Sequence, residues 1–346
     1  MVTEERDWPI PAGQVWKIRA DLKNHIRHFF QERDYLEVDT PALVSCPGTE
    51  AHLEYFSTDW RDYQGNSRKL WLRSSPELHM KQVLAQGPGR IFQFATSFRN
   101  KGELSPWHHP EFCMLEWYQA GIEFDDYISQ SLSLIREAWE GIAKAHPDVV
   151  RGIFPAGVLR MSVAEAFREF AGVELTDRDP GLAKKGREKG CYSLTGEEDF
   201  ETAFFKILLD KVEPGLKNLE AVVLYGYPPS QAALARVADG KARRFEIYWR
   251  GVELCNGFHE LQDPALNQER IREANFVRKQ EGRDVPDEDR DFYLALEKGI
   301  PDCCGNALGF DRLLTLILGR DNIGSVLPLR GNLPWRDYSH ESGTLQ

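Results

Sequence analysis

The sequence of 346 residues lacks long hydrophobic runs. Its longest aliphatic stretch, residues 313–318, is far shorter than the roughly 20 apolar residues that a membrane-spanning helix requires. Charged residues stand near the N-terminus, between Met1 and Trp8, where a secretory signal peptide would have its apolar segment. These absences argue against a membrane protein or a secreted one, and they predict a location in the cytoplasm.

Cysteine is also scarce. The six cysteines, at positions 46, 113, 191, 255, 303 and 304, include no CxxC pair of the kind that indicates a zinc or redox site. Only Cys303 and Cys304 are neighbours in sequence, and adjacent cysteines rarely bond to each other. We therefore expect reduced thiols, as in most cytoplasmic proteins.

The chain has no excess of positive charge. It carries 43 Lys and Arg residues against 54 Asp and Glu residues, a formal net charge of −11. Proteins that grip nucleic-acid backbones need an excess of Lys and Arg, so we do not expect tRNA as a partner. A local basic pocket for a single nucleotide remains compatible with this charge.

Common motifs for nucleotide binding and hydrolysis are absent as well. The sequence contains no GxxxxGK[ST] loop, no GxGxxG turn, no HExxH pair and no GxSxG elbow. Nucleotide binding by a P-loop or a dinucleotide-binding turn is therefore unsupported. Chemistry, if present, must come from side chains placed by another fold.

Hydrophobic periodicity indicates an α+β fold. Apolar residues from Val15 to Phe29 recur every three or four positions and predict a helix over about 14–33. Alternation over 90–98 and 112–118, joined by a loop over 101–110, predicts an antiparallel hairpin. Further strands are predicted at 222–225, 245–249 and 252–258, and Thr195 to Glu198 has the pattern of a capping box that opens a helix.

These elements predict one domain over residues 1–329, built on an antiparallel sheet. A helical insertion is expected at about 150–220, covering the sheet. The periodicity ends near residue 329, and the segment 330–346 is expected to be a polar, loosely ordered C-terminal tail.

Two arginines and two carboxylates are the main candidates for chemistry. Arg99 ends a predicted strand, Glu253 and Glu260 lie seven residues apart, and Arg312 opens the last predicted helix. Arginines bind phosphate oxygens and carboxylates bind a hard cation, so this set suits a triphosphate with magnesium. Spacing alone leaves alternatives open: Arg312 and Asp311 form a surface ion pair, or the two glutamates are unrelated exposed groups.

Several sequence blocks then resemble class II aminoacyl-tRNA synthetases in their lysyl form. Phe98-Arg99-Asn100, followed by His109-Pro-Glu-Phe-Cys-Met-Leu-Glu116-Trp-Tyr118, resembles motif 2, and Gly305-Asn-Ala-Leu-Gly309-Phe-Asp-Arg312 resembles motif 3. The segment from the first helix to Pro41 is similar to motif 1. Ser75-Pro76-Glu77-Leu-His-Met-Lys, Tyr227-Pro-Pro-Ser-Gln and Gly251-Val-Glu253-Leu-Cys-Asn-Gly-Phe-His-Glu260 are similar to lysyl-synthetase blocks in the same order.

The resemblance implies the class II catalytic fold, an antiparallel sheet of six to seven strands flanked by helices, in a homodimer. Motif 1 begins about 14 residues into the sequence, which leaves no room for the anticodon-binding domain of a lysyl-tRNA synthetase. The chain therefore resembles the elongation factor P lysyltransferase family, a lysyl-synthetase paralogue without that domain. This family is an ATP-dependent ligase that activates (R)-β-lysine and transfers it to a lysine side chain of elongation factor P.

Other readings remain open. The chain is alternatively a minimal lysyl-tRNA synthetase-like enzyme, or a ligase that joins an amino acid to a small amine. A catalytically silent regulatory paralogue is a third reading. Such proteins tend to lose the arginines of motifs 2 and 3, and both Arg99 and Arg312 are present.

The resemblance also implies roles for individual residues. Arg99 and Arg312 are the catalytic residues, holding the α-phosphate and the γ-phosphate of ATP. ATP contacts are further implied for Asn100, Lys101, His109, Glu253, Leu254 and Gly309. Contacts to the amino acid are implied for Ser75, Glu77, Tyr118 and Glu260, and Glu253 and Glu260 are expected to share magnesium ions.

Two positions depart from the lysyl-synthetase pattern. Ala307 stands where those enzymes usually have glycine, as in the paralogue family, and its methyl group favours β-lysine over α-lysine in the pocket. Lys101 replaces a glutamate that usually lies near the adenine. The motif 2 loop is one residue longer, and Glu103 is the candidate to supply the missing carboxylate.

Overall fold

The computed structural model describes residues 10–102 and 105–327. Within them, a large sheet forms the centre of the fold, and a small three-stranded sheet packs at one side. The strands are β1 (Leu36–Glu37), β2 (Leu43–Val44), β3 (Ser57–Arg61), β4 (Ser67–Leu72), β5 (Arg90–Phe98), β6 (Glu111–Ala120), β7 (Leu159–Ser162), β8 (Ala221–Tyr227), β9 (Val237–Ala238), β10 (Lys241–Trp249), β11 (Val252–His259) and β12 (Cys303–Gly309).

Helices lie on both faces of the large sheet. In the described residues they are α1 (Ala12–Gln31), α2 (Glu77–Leu84), α3 (Phe124–Ala145), α4 (Val163–Ala166), α5 (Leu182–Glu188), α6 (Phe200–Ile207), α7 (Glu213–Leu216), α8 (Pro264–Gln280), α9 (Arg290–Lys298) and α10 (Phe310–Ile317). Two π-helical turns, Phe167–Ala171 and Leu208–Val212, continue α4 and α6. Among the described residues, no helix combines the length and the apolar character needed to cross a membrane.

The strand order of the large sheet is β1-β5-β6-β12-β11-β10-β8-β7, with β9 added beside β10. The six strands from β5 to β8 in this order pair antiparallel with one another, which confirms the predicted antiparallel sheet. The sheet is wider than predicted because β1 and β7 add at its edges as short parallel strands.

The first helix and the first hairpin agree closely with their predictions. Helix α1 buries Val15, Ile18, Leu22, Ile26 and Phe29, the apolar series that predicted it. Strands β5 and β6 pair antiparallel over the whole of β5, from Arg90 opposite Gln119 to Phe98 opposite Glu111. The hairpin therefore places Arg99 and the loop that follows it at one end of two long central strands.

One face of the large sheet is closed by α1, α3 and α10. Phe30 of α1 stacks on Phe92 of β5 with ring centroids 4.5 Å apart. Asp311 connects three elements, since its carboxylate lies 2.6 Å from Arg19 of α1 and accepts the backbone N–H of Cys113 in β6 at 2.7 Å. In the described residues, the apolar side chains of these helices form one core cluster with this face of the sheet.

Residues 150–220, predicted as a helical cover, contain α4 to α7 and the parallel edge strand β7. Their apolar side chains pack against Val222, Leu224 and Tyr248 of the sheet. The predicted capping box from Thr195 to Glu198 is wrong as a helix start. Glu198 accepts the backbone N–H groups of Thr195 and Gly196 in a turn, and α6 begins later, capped by Asp199, which accepts the N–H of Thr202 at 2.8 Å.

The extent of the domain, 1–329, stays a prediction. The expected tail 330–346 and the candidate residue Glu103 lie outside the described residues.

Candidate active site

A cleft of about 1280 Å³ opens on the sheet face opposite α1 and α3. Its floor is the central sheet. One wall comes from the helices of 150–220, and the other from α8 together with the segment around residues 49–56. Of the predicted site residues, all except Asn100 line this cleft.

The floor is built by cross-strand rows of side chains. Ala307 of β12 pairs with Glu116 of β6 on one side and with Asn256 of β11 on the other, and Asn256 pairs in turn with Glu246 of β10. The neighbouring row runs through Tyr118, Gly305, Phe258 and Arg244. Residues in one row share a face of the sheet, so sequence segments up to about two hundred positions apart meet here.

A bulge in β11 explains how Glu253 and Glu260 reach the same cleft. Residues seven apart lie on opposite faces of a regular strand, because side chains alternate. The pairing with β10 moves from Ile247 opposite Cys255 to Tyr248 opposite Glu253, so Leu254 is the extra residue. Such a bulge resets the alternation, and both glutamates line the cleft.

Arg312 anchors one end of the cleft. Its guanidinium donates to the carbonyl of Glu253 at 2.9 Å, to the carbonyl of Trp107 at 3.2 Å and to His108 Nε2 at 2.9 Å. Asp311 pairs with Arg19 instead, so Arg312 and Asp311 do not form the surface pair that the sequence left open. The first residues of α10 thereby connect the motif 2 loop to β11.

His108 lies beside both candidate arginines. Burial, followed by the charges of Arg312 and Arg99, lowers the pKa of His108 to about 4. The imidazole is therefore neutral near pH 7, so Nε2 accepts from Arg312 and Nδ1 faces Ser105 Oγ at 2.5 Å as the donor. The two arginines concentrate positive charge at this end of the cleft.

Arg99 lies at the same end, immediately after β5. Its guanidinium is 5.2 Å from the centre of the Phe112 ring. Its Nε is buried and makes no hydrogen bond within the described part of the chain. A half-buried guanidinium on the cleft wall with an unused donor suits an anionic ligand.

The opposite end of the cleft is rich in carboxylates. Tyr118 donates to Glu116 Oε1 at 2.6 Å, and Ser75 donates to Glu116 Oε2 at 3.3 Å. Lys81 Nζ lies 2.6 Å from Glu77 Oε1 and 2.6 Å from Glu260 Oε2. Three acidic side chains from α2, β6 and the end of β11 thus share one small region.

The electrostatics of this end follow from burial. Burial, and then the charge of Glu77, raises the pKa of Glu116 to about 8. Burial also raises the pKa of Glu260, to about 7, against the lowering influence of the Lys81 charge. A cationic ligand would stabilise the ionised form of these carboxylates, so the chemistry of this end suits ammonium groups.

The remaining predicted residues lie around the arginine end. Leu254 is buried in the bulge, and Gly309 lies where an added Cβ would come within 3.3 Å of Arg312. His109 is buried, with Nδ1 2.6 Å from the carbonyl of Glu111. Lys101 is mostly exposed, with Nζ 3.8 Å from Glu54, and Asn100 lies off the cleft wall, its side chain accepting the N–H of Lys101 at 2.9 Å.

The structure adds residues that the predicted site omits. Lys81 lies one helical turn after Glu77, a spacing visible in the sequence but usual for exposed pairs. Glu246 accepts from Tyr248 at 2.7 Å and pairs with Arg244. After burial, the charge of Glu246 is the main influence that raises the pKa of Glu253, so these two carboxylates are neighbours.

No group of three or more His, Cys, Asp or Glu side chains is arranged to hold a metal ion within residues 10–102 and 105–327. Any metal here would therefore need ligands from a substrate in addition to the protein.

An antiparallel sheet, with one arginine after a long central strand and another at the start of the following helix, defines the class II synthetase catalytic fold. The family model for class II tRNA synthetases (D, K and N) matches residues 12–330, and the chain belongs to this family.

More particular relatives carry the name elongation factor P–(R)-β-lysine ligase. The protein from Vibrio atlanticus is 37% identical over 325 residues, covering 91% of this chain and 96% of the relative. The protein from Vibrio cholerae is 37% identical over 329 residues, covering 92% and 96%. The protein from Histophilus somni is 37% identical over 333 residues, covering 94% and 98%.

Proposed function

We propose that this chain is an ATP-dependent ligase that activates (R)-β-lysine and joins it to a lysine side chain of elongation factor P. The observation that carries the proposal is one cleft with two arginines at one end and buried carboxylates at the other. Relatives that match over more than nine-tenths of the chain bear the name of this activity.

In the first step, a carboxylate oxygen of the amino acid attacks the α-phosphorus of ATP, and pyrophosphate leaves. Arg99 binds the α-phosphate and the charge that develops there, and Arg312 binds the γ-phosphate. Arg312 then exchanges its contacts to Trp107 or His108 for phosphate oxygens. Asn100, Lys101, His109, Leu254 and Gly309 contribute to the surroundings of the nucleotide.

The carboxylate end binds the amino acid. Glu77 and Glu260 face the substrate's ammonium groups, and Ser75 and Tyr118 hold neighbouring polar positions. The methyl group of Ala307 stands between Glu116 and Asn256 in the floor of this end. It shortens the space available to the amino acid and favours the β-isomer.

Magnesium fits the arginine side of the floor. Mg²⁺ is usually bound by one or two carboxylates together with substrate phosphates and waters, so a site without three protein ligands is compatible. We assign Glu253, as expected from the sequence, with Glu246 as its carboxylate neighbour. Glu260, the expected second ligand, is instead held by Lys81 at the amino acid end. Bound Mg²⁺ would neutralise phosphate charge.

In the second step, the uncharged ε-amine of the acceptor lysine attacks the acyl carbon of the adenylate. The bond to AMP breaks, an amide forms, and the amine loses a proton. No covalent bond to the protein is needed, in keeping with positioning as the main source of catalysis.

We further propose a homodimer, acting in the cytoplasm because the acceptor is a translation factor. Exposed apolar side chains on α1, β1 and β2, namely Trp16, Leu36 and Leu43, offer a surface for a second copy. Light scattering of the purified protein tests the dimer.

Amino-acid-dependent exchange of pyrophosphate into ATP tests the function directly. We expect (R)-β-lysine to give the strongest exchange, ahead of (S)-β-lysine and α-lysine, without an acceptor present. Labelled (R)-β-lysine should then pass to elongation factor P, and not to a variant whose acceptor lysine is replaced by arginine. Exchange strongest with α-lysine, combined with transfer to tRNA or a small amine, would refute the proposal.

A further inference from the structure

Lys81 is a charged side chain removed from water next to the cleft. Its side chain is 1% exposed, and Nζ contacts both Glu77 and Glu260 at 2.6 Å. One ammonium group therefore ties two carboxylates from different elements, the start of α2 and the residue after β11.

Lys81 lies behind the two carboxylates as seen from the cleft. Glu77 and Glu260 line the cleft, whereas Lys81 is not among the lining residues. Lys81 uses Oε1 of Glu77 and Oε2 of Glu260, so the second oxygen of each carboxylate is not engaged by it. A ligand that enters the cleft meets the carboxylates and does not meet the lysine.

The other side of Glu260 is fixed by the sheet. A Cβ added at Gly305 would lie 2.3 Å from Glu260 Oε1 and 2.3 Å from the Tyr118 ring. Glu260 is thus held between the Lys81 ammonium and the backbone of β12, with little freedom to turn. Such restraint is what recognition of a small charged group requires.

We propose that Lys81 is a positioning residue for the amino acid, fixing the orientation and negative charge of Glu77 and Glu260 so that their remaining oxygens bind the substrate's ammonium groups. This inference rests on the proposed function. Several charged and polar groups face the cluster: Glu77 from α2, Glu116 and Tyr118 from β6, Glu260, Cys303 from β12, and Arg73 and Ser75, which precede α2 and interact with Glu116. Without Lys81, Glu77 and Glu260 would lose the ammonium group that they share.

A purely stabilising role accounts less well for this arrangement. Buried ion pairs lose so much hydration that apolar replacements are often neutral or stabilising. We therefore expect Lys81 to act mainly by placing the negative charges of Glu77 and Glu260. The affinity for the amino acid reports this placement directly.

The test compares Lys81→Met, Lys81→Gln and Lys81→Arg in the pyrophosphate exchange assay. The full-length protein is used with the preferred lysine isomer and with its analogue that lacks the terminal amine. Lys69→Met is the matched control, because Lys69 is an exposed lysine outside the cleft, with Nζ 3.0 Å from Asp284 and 4.4 Å from the centre of the Trp71 ring.

We expect Lys81→Met to raise the KM for the lysine isomer at least tenfold and to leave the KM for ATP within twofold. Discrimination against the analogue should fall at least tenfold, since the analogue has no terminal ammonium group for the fixed carboxylates to bind. Lys81→Arg keeps the charge and should retain part of both properties. If Lys81→Met does not fold, the same two measurements are made on Lys81→Gln, for which we expect the same changes.

A folded Lys81→Met or Lys81→Gln variant with unchanged amino acid KM and unchanged discrimination would overturn the assignment. An equal rise in the KM values for ATP and for the amino acid would overturn it too. In either case the wild-type exchange with lysine stands, so the proposed function survives. Wild-type protein without lysine-dependent exchange would instead refute the proposed function.

Discussion

Replacing Gly305 by alanine should damage amino acid binding specifically. The added methyl group would lie 2.3 Å from Glu260 Oε1 and 2.3 Å from Tyr118, both closer than atoms in contact allow. Tyr118 and Glu260 are buried and bonded to neighbours, so they cannot simply turn away. Overpacking of this kind typically costs about 1–3 kcal/mol.

If the added methyl group destabilises the reactive binding mode of the amino acid by this amount, kcat/KM for the lysine isomer drops by roughly 5- to 150-fold. Each 1.4 kcal/mol corresponds to a factor of about ten. The KM for ATP should stay within twofold, because the arginines lie at the other end of the cleft. Pyrophosphate exchange at varied amino acid and varied ATP measures both.

Gly157→Ala provides the matched control. Gly157 is exposed, and a Cβ there would meet nothing within 4 Å. The prediction is wrong if Gly305→Ala and the control have the same kcat/KM for the amino acid. Strand β12 would then leave more room beside Glu260 than the geometry indicates. An equal loss for ATP would show that the effect is not confined to the amino acid end.

Three further predictions concern charge and pocket shape. Arg99→Ala should lower the maximal rate of exchange roughly 100- to 1,000-fold, the usual loss for a donor to a developing charge, and an unchanged rate would remove Arg99 from the catalytic residues. Ala307→Gly should raise the ratio of kcat/KM for α-lysine to kcat/KM for (R)-β-lysine by roughly 5- to 150-fold, equivalent to about 1–3 kcal/mol. An exchange assay with the two isomers in competition measures this ratio, and an unchanged ratio would contradict the prediction. Burial raises the pKa of Glu116 from its ordinary 4.5 to about 8, so the folded protein keeps a proton that the unfolded chain releases, and stability falls as pH rises through this window. Glu116→Gln cannot ionise and should flatten that fall, which melting temperatures at about pH 5 and about pH 8.5 would show, and equal slopes for both proteins would count against the assignment.

Much of the fold follows from local sequence patterns. The series from Val15 to Phe29 repeats at helical spacing over a long stretch, and β5 and β6 alternate over enough residues for period two to be clear. The edge strand β7 gave a weak signal, because its four residues hardly establish a period. The start of α6 was misplaced because the carboxylate of Glu198 closes a turn instead of capping a helix.

The site was less accessible to sequence reasoning, for physical reasons that differ between residues. Lys81 has the spacing of an ordinary surface ion pair with Glu77, and only the tertiary structure shows that it is buried and also reaches Glu260. The position of Glu246 beside Glu253 depends on the register between β10 and β11, and the bulge at Leu254 sets that register. The roles assigned to the individual site residues stay predictions until the variants are measured.

The order of the strands has a consequence for biosynthesis. Strand β12 lies between β6 and β11 in the sheet, yet it comes after all other strands of the chain described here. Until Cys303–Gly309 has left the ribosome, the nascent chain holds two half-sheets with open edges at β6 and β11. Exposed edges invite wrong pairing, so a chaperone would be most useful in that interval. The same order means that a chain terminated before β12 should not form the adenylate, since both ends of the cleft meet only when this last strand inserts.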